Sequence, residues 1–177
     1  MSYVEILVLR HLMRGSAHGY ELRKHVEANT GVVLNNNALY PALRRFEDAG
    51  AVTKTSQQLP GRPPRHVYTI TAVGRELLGD MLAELPPGDA GDDAEFLTRL
   101  SQFAMLDPSD RVAVLDARHA AVQQRAELLA GLAERGAGET WGARVTAELL
   151  RRCQAECEWL DQLRAEAISA PVVPEGE

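Results

Sequence analysis

The chain has only two cysteines in 177 residues, Cys153 and Cys157, and they do not form the paired CxxC elements of a zinc site. That usage fits a reducing compartment. No stretch reaches the roughly eighteen uninterrupted apolar residues that a membrane-spanning helix needs. The apolar run YVEILVLRHLM is broken by Glu5 and Arg10, with no basic leader or small-residue cleavage pattern around it. Neither a membrane span nor a signal peptide is expected, and the cytoplasm is the expected location. Also missing are an HExxH motif, a phosphate-binding loop, and any motif joining a nucleophile, a base and an orienting group. Catalysis therefore has no support, and no metal or cofactor is expected.

What is present is an uneven distribution of charge. The formal net charge is −6 and 45% of the residues are hydrophobic, the composition of an acidic globular protein. Met1 to Glu84 carries ten Lys/Arg against eight Asp/Glu, a net of +2, with four of the five histidines. The remainder carries nine against seventeen, a net of −8. The bulk charge thus says little about the N-terminal surface.

Within that first half, NNNALYPALRRFEDAGAV, residues 35–52, is the most informative stretch. Leu39, Leu43 and Phe46 recur at i, i+4 and i+7, Asn36 or Asn37 can cap the helix start, and Gly50 ends it. Pro41 is tolerable only near the N-terminus, which predicts a first turn at about Ala38 to Pro41. With the leucines and phenylalanine inward, Asn37, Tyr40, Pro41 and Arg44 line the opposite face, flanked by Arg45. Amides, a phenol and guanidiniums suit an anionic, hydrogen-bonding partner.

The surrounding pattern gives that helix a context. A first helix over about Tyr3 to Arg14 is apolar almost all round, so part of it is expected to pack on another domain or subunit. Ser16 can cap a second helix over roughly Ala17 to Asn29, ahead of the third. After Gly50 the period alternates: AVTKTS and RHVYTIT flank QQLPGRPP, a hairpin whose tip carries Lys54, Arg62, Arg65 and His66. Thr71 caps a helix over about Ala72 to Leu85. PPGDAGDD, residues 86–93, has nothing to bury and reads as a linker. Beyond it lie helices over about Ala94–Met105, Asp107–Arg135 and Trp141–Ile168, then a tail, residues 169–177, expected to be disordered. Two long amphipathic helices need a partner face, which a coiled-coil-like homodimer supplies.

Three helices followed by a basic hairpin form a winged helix-turn-helix pattern, in which the third helix enters the major groove and the wing reaches a neighbouring groove or phosphate. The fold class expected is mainly α with a small β-hairpin wing: a DNA-binding domain over residues 1–85, the linker, and a helical dimerisation and effector domain over residues 94–168. The DNA-contacting candidates are Asn36, Asn37, Tyr40, Arg44, Arg45, Lys54, Arg62 and Arg65. Asn can read adenine, Arg reads guanine, and tyrosine hydroxyls hold phosphates. His119, Trp141 and Trp159 are candidates for an effector cavity.

HGYEL (residues 18–22), ALYPALRRFEDAGAV (residues 38–52) and GRPPRHVYTITAVGRELL (residues 61–78) resemble the N-terminal domain of PadR-family transcriptional regulators over roughly Val4 to Leu85. Length and the helical second half resemble the longer subgroup with an AphA-like C-terminal domain. Asn37-Ala38 stands where the family commonly has a small Ser or Gly pair before the Leu-Tyr-Pro, and Pro64 stiffens the wing tip. The resemblance implies a cytoplasmic homodimeric regulator, usually a repressor, that binds double-stranded DNA and is released by a small molecule, often aromatic. Two-fold symmetry would make its operator an inverted repeat. The competing readings are a winged-helix protein–protein interaction module, and a thiol or metal sensor using Cys153 and Cys157.

Overall fold

The computed structural model describes residues 3–30, 36–58, 65–135 and 140–169. They divide into two compact units, Met1–Leu82 and Ala83–Glu177.

In the first unit the elements are α1 (Tyr3–Met13), β1 (Ala17–His18), α2 (Gly19–Thr30), α3 (Asn36–Asp48), β2 (Val52–Gln57), β3 (Arg65–Ile70) and α4 (Ala72–Ala83). α1 buries Val4, Ile6, Val8, Leu9 and Leu12. It packs on α2, α3 and β3, which cover the Val4, Ile6, Val8, Leu9 and Leu12 side of its nearly all-round apolar surface within its own unit. The sheet is antiparallel in the order β1-β3-β2, with Ala17 opposite Tyr68 and β2 and β3 in register from Val52↔Ile70 to Gln57↔Arg65. Ala17 and His18, expected as helix, are thus strand, and Ser16 caps nothing: its hydroxyl lies 2.7 Å from that of Thr69.

α3 ends in a Schellman motif. Ala51 N donates to Phe46 O at 2.8 Å and Gly50 N to Glu47 O at 3.0 Å, with Gly50 at φ +70°, where a side chain is strained. α3 also starts earlier than the proline suggested, which places Pro41 beyond the first turn. The helix continues past it because Leu39, Ala42, Leu43 and Phe46 form one buried stripe, while Pro41 itself lies on the exposed face. The capping expected of Asn36 or Asn37, the 59–64 wing tip, and the 170–177 tail fall on side chains or residues outside the described set.

Thr71 locks the next helix to this turn. Its hydroxyl donates to Gly50 O at 2.7 Å, and the Gly74 N–H donates back to it at 3.1 Å. A Cβ on Gly74 would stand 2.1 Å from Ala51 O, so glycine permits the close approach.

The second unit contains α5 (Asp93–Leu100), a 3-10 turn (Phe103–Met105), α6 (Pro108–Arg135) and α7 (Trp141–Ser169). Asp92, Asp107 and Thr140 accept backbone N–H groups at the starts of the three helices. Residues 86–93, expected to have nothing to bury, include a turn that places Ala90 in the second core at 1% exposure. Three buried arginines fix such irregular segments. Arg99 Nε donates to Glu84 O at 2.9 Å, Arg111 Nε to Phe103 O at 2.8 Å, and Arg118 Nη1 to Ala90 O at 3.1 Å. α6 and α7 run antiparallel, joined by Arg118–Glu156 and Arg164–Asp116 contacts of 2.7 and 2.8 Å. Among the described residues no helix is long and apolar enough to cross a membrane.

Candidate nucleic-acid interface

The buried stripe of α3 turns its other side outward. Tyr40 and Arg44, one helical turn apart, are both exposed, Tyr40 at 43%. Asn36 and Asn37 belong to the first turn of the same helix, while their side chains lie outside the described set. Arg45 has a second engagement: its guanidinium meets the carboxylate of Glu5, which is 6% exposed, and so ties α3 to α1. Lys54 and Arg65 are exposed on the two wing strands, and Arg62 falls outside the described residues.

Between the start of α2, Tyr40 of α3 and the start of β3 opens a cleft of ≈ 510 Å³. His18, Tyr20 and Glu21 line it from one side, Arg65 and His66 from another. Glu21 accepts the His18 N–H at 2.8 Å, half of a capping box, which spends its carboxylate on the helix start. The His18 ring Nδ1 sits 3.1 Å from His66 O and pins α2 to the wing. Gly19 lets the Tyr40 ring lie close: a Cβ there would be 3.2 Å from it. Tyr20 is 63% exposed, with the Arg23 guanidinium 5.5 Å from its ring centre. Burial, helped by Tyr40 and Glu47 and opposed by Arg44, pushes the Tyr68 phenol above its ordinary 10.0, so it stays a neutral hydrogen-bonding group. Phenols, imidazoles, a guanidinium and a helix N-terminus around one cleft can hold an oxyanion. The reading from sequence missed Tyr20 and His18; the only signal was their place beside Gly19 in HGYEL.

The residues expected to line an effector cavity do not come together. His119 lies beside Asp161, with Nε2 3.7 Å from Oδ1. Trp159 meets Phe96 edge-on, with centroids 6.2 Å apart. Trp141, 80% exposed, lies under the Arg144 guanidinium, eighteen residues before Trp159 on the same helix, a rise of about 27 Å. Cys153 is buried and Cys157 half-buried; burial, with Cys153 and Glu156 adding, pushes the Cys157 thiol up, the opposite of what a thiolate sensor needs.

Residues 8–80 match the model of the transcriptional regulator PadR-like family. No curated protein matches the chain significantly. Among solved structures, the circadian clock associated protein Pex from Anabaena is 30% identical, covering 44% of this chain and 70% of its own, at a TM-score of 0.38. A transcriptional regulator from Clostridium thermocellum is 28% identical, covering 44% and 77%, at 0.41. PadR from Bacillus subtilis, solved in complex with operator DNA and with p-coumaric acid, is 19% identical over 94% of this chain and 99% of its own, at 0.45 and 0.41.

Proposed function

The chain belongs to the PadR-like family of transcriptional regulators, through the domain at residues 8–80, and from that premise we propose that it is a two-fold symmetric, sequence-specific DNA-binding repressor. The observation that carries the reading is the exposed Tyr40–Arg44 face of α3, set beside a cleft bearing Tyr20, His18, Arg65 and His66. The start of α3, with Asn36, Asn37 and Arg44, meets base edges. Tyr40 and the cleft hold a backbone phosphate, and Lys54, Arg62 and Arg65 follow the adjacent strand. Arg45 contributes through its hold on Glu5, which sets the position of α3.

Residues 1–85 would be the DNA-binding part and residues 94–168 the dimerisation part. Leu128, Leu132, Trp141 and Val145 support that division: they are exposed large apolar side chains toward the joined ends of α6 and α7, where a second copy would cover them. A dimer of this kind requires an inverted-repeat operator with half-sites about one helical turn, roughly 34–36 Å, apart or a multiple of it. A small molecule that binds the free dimer better than the DNA-bound one would relieve repression, with ~1–3 kcal/mol of coupling sufficient. The p-coumaric acid complex of the Bacillus subtilis protein makes that compound a first probe.

The test is a mobility shift of the full chain on duplex from upstream of its own coding region. A complex resistant to non-specific competitor and weakened by salt is expected; a winged-helix protein adaptor gives none.

A further inference from the structure

The helical unit contains a second cleft, of ≈ 240 Å³, that the DNA-binding reading does not use. Its walls are equivalent faces of α6 and α7: Arg118, Ala121, Val122 and Arg125 at i, i+3, i+4 and i+7 on one side, and Leu149, Arg152, Cys153 and Glu156 at the same spacing on the other. Gly91 and Asp93, at the start of α5, close one end.

Two kinds of lining alternate here. Ala121, Val122, Leu149 and Cys153 form an aliphatic floor, with Val122 and Cys153 belonging to the core. Around it stand three guanidiniums. The Arg118 side chain is 5% exposed and held by Glu156 at 2.7 Å and Asp93 at 2.5 Å, so its charge is matched from within the chain. Arg152 shares Glu148 with Arg151, and the two guanidiniums hold that carboxyl down to about 2. Arg125 has no ion pair among the described residues and is exposed at the cleft.

We infer that this cleft binds a small aliphatic carboxylate, its carboxylate on Arg125 and Arg152 and its hydrocarbon body on Ala121, Val122, Leu149 and Cys153. An aliphatic body fits because no aromatic side chain lines the cleft among the described residues. A carboxylate is favoured over a phosphate because the Asp93 and Glu156 charges at one end repel a second negative charge. Binding here is separate from DNA binding, which rests on the other unit.

The probe is hexanoate, with hexanamide as its neutral isostere, titrated calorimetrically into the full chain. Hexanoate should bind saturably with one site per chain and hexanamide should not. Arg125→Gln, an exposed substitution that breaks no ion pair, should weaken hexanoate binding roughly tenfold or more while leaving operator binding unchanged. Hexanoate should also slow alkylation of Cys153, followed by peptide mass spectrometry. Absence of saturable binding, equal binding of the amide, or full affinity in Arg125→Gln overturns the inference. Loss of operator binding in the wild-type chain would count against the DNA reading alone.

Discussion

At the scale of single residues, Tyr40 separates shape from chemistry. Its ring is held against Gly19, and only its hydroxyl can reach an oxyanion. Tyr40→Phe keeps the ring and should lower operator affinity by about 0.5–1.5 kcal/mol, the net worth of one hydrogen bond, read by anisotropy at fixed salt. Unaltered affinity would mean that the hydroxyl is only solvated. A second residue-scale effect comes from His11 and His25, whose rings face each other at 4.1 Å. Burial, then the charges of His25 and Arg14, lower the His11 pKa from 6.5, and Glu21 opposes this; burial and Arg14 lower that of His25. The unfolded chain therefore binds protons more readily than the folded one. Their contribution to stability is complete above about pH 6.5 and is lost as pH falls below it toward the folded values. Thermal unfolding of the first unit should show this acid sensitivity, and His11→Leu should reduce it; an unchanged slope would exonerate the pair. Arg118 sets a third expectation. Arg118→Met strands the half-buried Glu156 and should destabilise the second unit by roughly 3 kcal/mol, with Glu156→Leu added restoring part of the loss.

Among the elements, the turn from α3 into β2 and its junction with α4 tolerate the least change. Gly74→Ala pushes a methyl against Ala51 O and Ile70, and should cost ~1–3 kcal/mol by denaturant titration. Gly50→Ala should cost about 1–2 kcal/mol through its φ of +70°. A neutral Gly74→Ala would contradict the close approach to Ala51, and a neutral Gly50→Ala would contradict the left-handed backbone at that turn. This region was also the most legible from sequence, because the buried stripe of α3, Gly50 as a stop and Thr71 as a cap each act within a few residues. β1 was illegible for the opposite reason: two residues carry no period, and what makes them strand is β3, about fifty residues away. Pro41 misled because a local penalty was outweighed by burial that a propensity argument does not see. The buried arginines look in sequence like any helical surface charge; only the turns whose carbonyls they satisfy distinguish them. Trp141 shows the converse: nothing local in the sequence reveals that so large an aromatic stands 80% exposed on the single chain.

For the molecule as a whole, the proposed function requires two copies of the chain. Leu132→Glu with Val145→Glu places charges in the exposed apolar group of α6 and α7 and should yield monomer by light scattering, with operator affinity falling as the second half-site is lost. A dimer that survives both changes would move the interface elsewhere. The acidic total charge does not by itself oppose DNA binding, since the excess lies in the second half of the sequence while residues 1–84 carry a net of +2.

The most direct test of the central claim is the salt dependence of binding to the native promoter duplex, compared between the wild-type chain and Arg62→Ala/Arg65→Ala. Log affinity should fall linearly with log salt, and each arginine that contacts a phosphate should contribute nearly one unit of slope, so the variant's line should be shallower by about one to two units. No complex at low ionic strength, or identical slopes for the two proteins, would contradict it.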